Sequence, residues 1–156
     1  MEAVQTSPVS RLVPVTEGEW TGWSHDPIDP YEAVSGPFYT RRDPDGTFRC
    51  AFQVEKRHLN GGGFLHGGCL MTFADYAMFC IARDVMGGSP AVTATFNGEF
   101  LSSVHEGARV ECTGEVVRAG RSLVFFRGLI TSADETVMAF SAVIKKVSGG
   151  VRVVDG

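Results

Sequence analysis

The sequence predicts an α+β fold in which a curved antiparallel sheet wraps around one long central helix. Residues 68–86 form a long apolar stretch rich in Ala, Met, Leu and Phe that stops at Gly87-Gly88, as a helix does. Segments rich in β-branched and aromatic residues flank this stretch, two before it and four after it. Short breaks between consecutive strands favour hairpins, and strands joined by hairpins are antiparallel.

The predicted strands follow one another in a simple order. Residues 38–42 and 47–54 form the opening pair, because Pro44-Asp45-Gly46 between them has the dihedral preferences of a tight turn. The four strands after the helix cover residues 91–101, 108–118, 122–132 and 136–147. Two strands, one buried helix and four strands are the arrangement of the hotdog fold.

A chain of 156 residues is long enough for one domain with a real core. We place the hotdog domain at residues 36–148, after an irregular or partly helical lead-in at residues 1–35 and before a tail at residues 149–156. The lead-in is rich in proline, which interrupts regular structure. We expect its Trp20 and Trp23 to dock on the domain, because a free tail rarely exposes two tryptophans.

Composition and motif spacing argue against several kinds of partner, location and metal site for this chain. A net charge of −4 provides no basic surface for a nucleic acid. No secretory signal begins the sequence, which predicts a cytoplasmic protein, and the apolar run at residues 69–82 is too short to cross a membrane. The four cysteines and four histidines lack the spacing of a metal site, so we expect no metal.

Asp75 is the one charged residue between Cys69 and Ala82, in the middle of the predicted helix. A buried carboxylate is costly unless it is paired or used. Gly67 and Gly68 lie at the start of the same helix, where free backbone N–H groups favour negative charge and can stabilise an oxyanion. Eight residues of helical rise separate Gly67 from Asp75 by about 12 Å, so one reaction site needs Gly67 of one subunit and Asp75 of another.

A combination of motifs resembles the PaaI-like branch of the hotdog thioesterases, also called the 4-hydroxybenzoyl-CoA thioesterase superfamily. The resemblance covers about residues 38–147. It implies a cytosolic acyl-CoA hydrolase that works as a homodimer or a dimer of dimers, without metal or other cofactor. The residues that carry it are Asn60, Gly63, His66-Gly67-Gly68, Asp75, Thr93, Phe100-Leu101 and Gly107.

The resemblance also implies a role for each matched position. Asp75 would be the nucleophile or the base that activates water, and Gly67 would supply the polarising N–H. Asn60 would orient the thioester or the water, His66 would support the loop and the leaving sulfur, and Thr93 would place water or the carboxylate. We assign Gly68 to substrate binding as well. The basic hairpin residues Arg118, Gly120 and Arg121 would bind the phosphates of CoA.

Three other functions stay open at this point. Cys69 near the helix start, with His66 three residues before it, would make a cysteine hydrolase. A hotdog hydratase or dehydratase acts on related thioesters through a catalytic His, and a non-catalytic module would bind acyl-CoA without turnover. The acyl group is also open between aromatic and medium-chain types, with Phe73, Ala74, Met78, Phe96 and Phe100 as candidates for the floor of its pocket.

Overall fold

The computed structural model of the chain describes residues 11–148. The first ten residues of the lead-in and the expected tail at residues 149–156 lie outside the described residues. The described part contains three α-helices, α1 (Pro30–Ser35), α2 (Gly67–Ile81) and α3 (Arg83–Met86), and a short 3-10 helix at Lys56–His58. The strands are β1 (Val13–Pro14), β2 (Ser24–His25), β3 (Tyr39–Arg42), β4 (Phe48–Gln53), β5 (Ala91–Phe100), β6 (Arg109–Ala119), β7 (Leu123–Ser132) and β8 (Glu135–Lys146).

All eight strands belong to one antiparallel sheet in the order β1-β2-β3-β4-β6-β7-β8-β5. The six strands predicted from the sequence, β3 to β8, are present, and their ends agree with the prediction to within one residue. Helix α2 contacts β4, β5, β6 and β7, so the sheet curves around it. The predicted hotdog fold is confirmed.

The central helix is shorter than predicted. We expected one helix through Met86, but α2 ends at Ile81, and Ala82 separates it from α3. The Arg83 Nε donates to the carbonyl of Cys80 at 2.9 Å, which satisfies one carbonyl at the end of α2. The predicted stop at Gly87 is confirmed, because this residue has a φ of 58° in the left-handed region that glycine tolerates.

The core lies between one side of α2 and the inner face of the sheet. Phe73 and Met78 of α2 are fully buried there, together with Phe52, Met138 and Ile144 from the strands. Bulges interrupt the pairing between β5 and β8, between β6 and β7, and between β7 and β8. A bulge bends its strand and increases the local twist, which helps the sheet follow the helix.

The lead-in docks on the domain. Its short strands β1 and β2 extend the sheet beyond β3, and the Trp20 ring stacks on Tyr39 with ring centroids 4.1 Å apart. Trp23 is 3% exposed and lies beneath the guanidinium of Arg41. The expected docking of both tryptophans is therefore confirmed, whereas the domain boundary at residue 36 stays a prediction.

Strand β5 forms one edge of the sheet. It pairs with β8 along its length, and its other edge has no partner strand among residues 11–148. Val92, Phe100 and Leu101 on or beside it are 51%, 50% and 58% exposed. Within the same residues no helix is both long and apolar enough to cross a membrane.

Candidate active site

Asp75 lies on the side of α2 that faces the start of β5. The Thr93 hydroxyl donates a hydrogen bond of 2.5 Å to the Asp75 carboxylate, across 18 residues of sequence. Burial raises the pKa of Asp75 above its ordinary value, and the Thr93 hydroxyl partly opposes this by stabilising the charged form. A half-buried carboxylate of raised pKa, held by one hydroxyl, suits a general base or a nucleophile.

Within residues 11–148, one backbone N–H at the start of α2 has no hydrogen-bond partner and is open to a ligand. His66 caps the helix, and its Nδ1 accepts a 2.8 Å hydrogen bond from the Gly68 N–H. The Gly67 N–H is the first of the helix, where no intrahelical acceptor exists. An added Cβ at Gly67 would lie 3.4 Å from the Phe100 ring, so this end of the helix adjoins the end of β5. The geometry therefore favours Gly67 over Gly68 as an oxyanion donor.

His66 thus has a structural function as a helix cap. Because its Nδ1 accepts a hydrogen bond, only Nε2 is left for another partner. The predicted role of His66 beside the leaving sulfur would depend on that nitrogen, and it stays a prediction.

The glycine-rich loop before α2 is built around Asn60. The Asn60 Oδ1 accepts hydrogen bonds from the N–H groups of Gly62 and Phe64, at 2.8 and 3.2 Å. A further backbone bond from Asn60 to the Phe64 carbonyl closes the loop at 2.7 Å. The side-chain oxygen is therefore engaged in the loop, and the exposed amide nitrogen is the atom with which Asn60 would orient a thioester or water.

A cavity of about 550 Å³ opens beside Asp75. Phe96 lines it, as expected, whereas Phe73, Ala74 and Met78 are buried between α2 and the sheet and do not line this cavity. Phe100 is not among its lining residues. The opposite wall comes from the lead-in, notably Tyr31 and Glu32 of α1, for which the sequence analysis assigned no function.

The sequence contains one signal for the lead-in helix that forms this wall of the cavity. Asp29-Pro30 is typical of a helix start, with Asp as the cap and Pro in the first turn, and this signal locates α1. It does not say which surface the helix covers. The contact that shows this, between the hydroxyls of Tyr31 and Thr72 at 3.5 Å, joins residues 41 positions apart.

Comparison with known proteins identifies the family. The model of the thioesterase superfamily matches residues 62–139, half of the chain. The chain belongs to the thioesterase superfamily. Human acyl-coenzyme A thioesterase 13 is 30% identical to it over 118 residues, which cover 73% of this chain and 78% of the relative.

Two solved structures share the fold of this chain. A mutant of the phenylacetic acid degradation protein PaaI from Thermus thermophilus is 28% identical, with a TM-score of 0.66 and coverage of 76% of this chain and 100% of that one. A hypothetical thioesterase of Streptococcus pneumoniae, solved with coenzyme A, is 21% identical, with a TM-score of 0.64 and coverage of 72% and 91%. The shared fold therefore covers about three quarters of this chain.

The basic hairpin of this thioesterase-superfamily chain lies apart from Asp75 within one subunit. Arg118, Gly120 and Arg121 are exposed at the turn between β6 and β7. Pairing across the sheet places Thr93 in one row with the start of this turn, three strand spacings or about 14 Å away. The hairpin is thus at the Asp75 end of the sheet, but its binding of phosphate stays a prediction.

The alternative nucleophile Cys69 is poorly placed for chemistry. Burial raises the pKa of the Cys69 thiol to about 11, which keeps it protonated at neutral pH. Its proposed base, His66, uses Nδ1 to cap the helix. Residues 11–148 also contain no group of three His, Cys, Asp or Glu side chains arranged to hold a metal ion.

Proposed function

We propose that this protein hydrolyses an acyl-CoA thioester to a free acid and CoA, with Asp75 as the nucleophile or the base. The observation that carries this proposal is the half-buried Asp75 carboxylate, which Thr93 holds beside a largely apolar cavity. Membership of the thioesterase superfamily supports the reaction class, and human acyl-coenzyme A thioesterase 13 supports the substrate class by its name. The four cysteines are free thiols, which fits the reducing cytoplasm.

Water and the thioester would meet between Asp75 and the Gly67 N–H. Asp75 attacks the thioester carbon, or takes a proton from the attacking water, and the carbonyl oxygen gains negative charge. The Gly67 N–H donates to that oxygen at the positive end of the α2 dipole. When Asp75 acts as the base, collapse of the tetrahedral species gives the free acid and the CoA thiolate, which takes the proton from Asp75. When Asp75 is the nucleophile, collapse gives the CoA thiolate and a mixed anhydride on Asp75, which water then hydrolyses to the free acid and the Asp75 carboxylate. The phosphates of CoA bind Arg118, Gly120 and Arg121.

A homodimer formed through β5 would supply both groups to one site. An unpaired edge of ten residues with exposed apolar side chains is suited to pairing with a second copy. Thr93, near one end of β5, contacts Asp75, and Phe100, at the other end, adjoins Gly67. Antiparallel pairing of two β5 strands about a two-fold axis near Phe96 places the Thr93 end of one strand beside the Phe100 end of the other. Gly67 of the partner subunit then approaches Asp75.

The test is release of free CoA from short, medium-chain and aromatic acyl-CoA thioesters by the wild type and by Asp75→Asn. The proposal predicts at least about a hundredfold loss of kcat/KM, near 2.7 kcal/mol of barrier. Asp84→Asn is the matched control, because Asp84 is an exposed acid paired with Arg42 on the surface. Equal turnover by wild type and Asp75→Asn would refute the mechanism.

The same assay separates the two remaining alternatives. A hydratase would add water to an enoyl-CoA without releasing free thiol. A binding module would hold acyl-CoA tightly and release nothing. Release of CoA thiol by the wild type excludes both.

A further inference from the structure

The cavity beside Asp75 extends along one face of α2 and beneath the lead-in. Thr72, Asp75, Phe79 and Cys80 line it at helical spacing, so it follows the helix for about 12 Å from Thr72 to Cys80. Most of its surface is apolar and suits the carbon chain of an acyl group. Helix α1 borders this length of the cavity, since Tyr31 contacts Thr72 at one end and Glu32 interacts electrostatically with Cys80 at the other.

Two carboxylates of the lead-in wall are already engaged. Asp29 caps α1 and accepts hydrogen bonds of 2.9 Å from the N–H groups of Tyr31 and Glu32. Asp26 accepts from the Ile28 N–H and pairs with the Arg11 guanidinium at 3.1 Å. These contacts hold the wall in its shape.

Glu32 differs from these two acids. It lines the same cavity, and among residues 11–148 no hydrogen bond or ion pair joins its carboxyl group to another side chain or backbone group. Burial, followed by the nearby charge of Asp29, raises the pKa of Glu32 to about 8. At neutral pH the carboxyl group is therefore largely uncharged, and it can donate one hydrogen bond and accept others.

We propose that Glu32 is a specificity-determining residue that selects acyl groups with a hydroxyl at the distal end over acyl groups of equal length that end in a methyl or a carboxylate. This inference rests on the proposed acyl-CoA hydrolysis, with the acyl chain lying along α2. A distal methyl group would displace water from the Glu32 carboxyl group and leave it without a hydrogen bond. A distal carboxylate would meet a net negative charge around Glu32, because the carboxylates of Asp26 and Asp29 outnumber the one guanidinium of Arg11 there.

The groups that face Glu32 come from two sides of the cavity. Asp26, Asp29 and Arg11 belong to the lead-in, and Cys80 lies on α2. Tyr76, also on α2, interacts electrostatically with Glu32. Asp26, Asp29 and Cys80 raise the pKa of Glu32, and Arg11 lowers it. Ionisation of Glu32 above pH 8 adds a negative charge, so discrimination against a distal carboxylate should increase between pH 7 and pH 9.

The experiment measures kcat/KM for release of CoA from three matched thioesters at acyl lengths of six, eight and ten carbons. Each set contains the plain acyl, the ω-hydroxyacyl and the ω-carboxyacyl compound. The wild type should prefer the hydroxyacyl compound over the plain one by about tenfold at one or more lengths. Glu32→Leu should abolish this preference, and Glu32→Gln, which keeps a neutral hydrogen-bonding group, should retain most of it.

The pH readout separates recognition by Glu32 from a purely structural role. The ratio of kcat/KM for hydroxyacyl over carboxyacyl substrates should rise from pH 7 to pH 9 in the wild type and rise less in Glu32→Gln. In that variant the Cys80 thiol, whose pKa a hydrogen bond with Cys50 lowers to about 7, is the cavity group that still gains negative charge over this range. Because both substrates use the same enzyme, titration of Asp75 cancels in this ratio. Equal kcat/KM for the hydroxyacyl and plain substrates, or a hydroxyacyl preference that is unchanged in Glu32→Leu, would overturn the proposed role of Glu32. Neither result would contradict the proposed acyl-CoA hydrolysis. Absence of CoA release from every compound would instead overturn the proposed function, and this inference with it.

Discussion

Replacement of Gly67 by proline removes the proposed oxyanion donor with little change to the backbone. Gly67 is the first residue of α2, a position where proline is favoured because its missing N–H has no helical acceptor. His66 before it has φ −66° and ψ 131°, the extended conformation that a residue before proline adopts. Gly67→Ala is the matched control, since it keeps the N–H and adds a Cβ in ordinary contact with Phe100.

The expected loss follows from the deletion of one donor to the developing oxyanion. Such a deletion costs about a hundredfold to a thousandfold in kcat, or about 2.7 to 4 kcal/mol. The assay is CoA release under saturating acyl-CoA, and thermal unfolding checks that Gly67→Pro and Gly67→Ala fold alike. If Gly67→Pro is folded and retains the kcat of Gly67→Ala, the Gly67 N–H does not stabilise the transition state.

Mixed dimers extend the same test to the subunit arrangement. Gly67→Pro and Asp75→Asn are each expected to be inactive, but a dimer with one chain of each kind has one site that combines an intact Gly67 with an intact Asp75. Refolding an equal mixture should restore about a quarter of the wild-type activity, because half of the dimers are mixed and each has one intact site of two. A site formed within one chain predicts no recovery on mixing.

Three further changes test other parts of the structure. Thr93→Val removes the hydroxyl that lowers the pKa of Asp75, so this pKa should rise. Because activity requires the ionised Asp75 carboxylate, the pH at which kcat/KM rises should be higher in the variant, as a pH–rate profile would show. Arg121→Ala should raise KM several-fold for acyl-CoA but not for a short thioester without phosphates, and the wild-type KM for acyl-CoA should rise with salt. Gly128→Ala places a Cβ 2.6 Å from the Phe140 ring on the neighbouring strand, so the free energy of unfolding, measured with denaturant, should fall by about 1–3 kcal/mol. Gly61→Ala is the control, because the space around Gly61 is open and this variant should be as stable as the wild type.

Local chemistry explains why most of the fold was predictable from the sequence. The Pro44-Asp45-Gly46 turn has a φ of 87° at Gly46, which glycine tolerates, and it joins β3 and β4 as predicted. The end of α2 was not predictable in this way. It depends on Arg83, whose guanidinium lies 4.0 Å from the centre of the Phe48 ring while its Nε bonds to the Cys80 carbonyl. A tertiary contact of this kind leaves no periodic signal in the sequence.

The candidate site was also predictable from the sequence only in part. Asp75 was identifiable because a buried charge in an apolar helix is costly unless it is paired or has a function. Its distance from Gly67 was also predictable, since it follows from the rise per residue of the helix. The sequence could not reveal that the Gly68 N–H is taken by His66, since this depends on the ring orientation of one side chain. Nor could it reveal the role of α1, whose six residues include none that is buried.

The proposed catalytic groups and Glu32 lie in different parts of the chain. The proposed reacting groups, Asp75 and Gly67, lie on α2, and Thr93 on β5 holds Asp75. The core and the proposed dimer contact hold these two elements, so helix and strand geometry fix the spacing of the groups. Glu32 lies on a short helix of the lead-in, outside the part of the chain that the superfamily model matches. Exchange of the lead-in would therefore change the distal wall of the cavity without moving Asp75 or Gly67. Acyl selectivity and hydrolytic chemistry would then be separable by mutation, with effects of Glu32 confined to ratios between substrates and effects of Asp75 common to all of them.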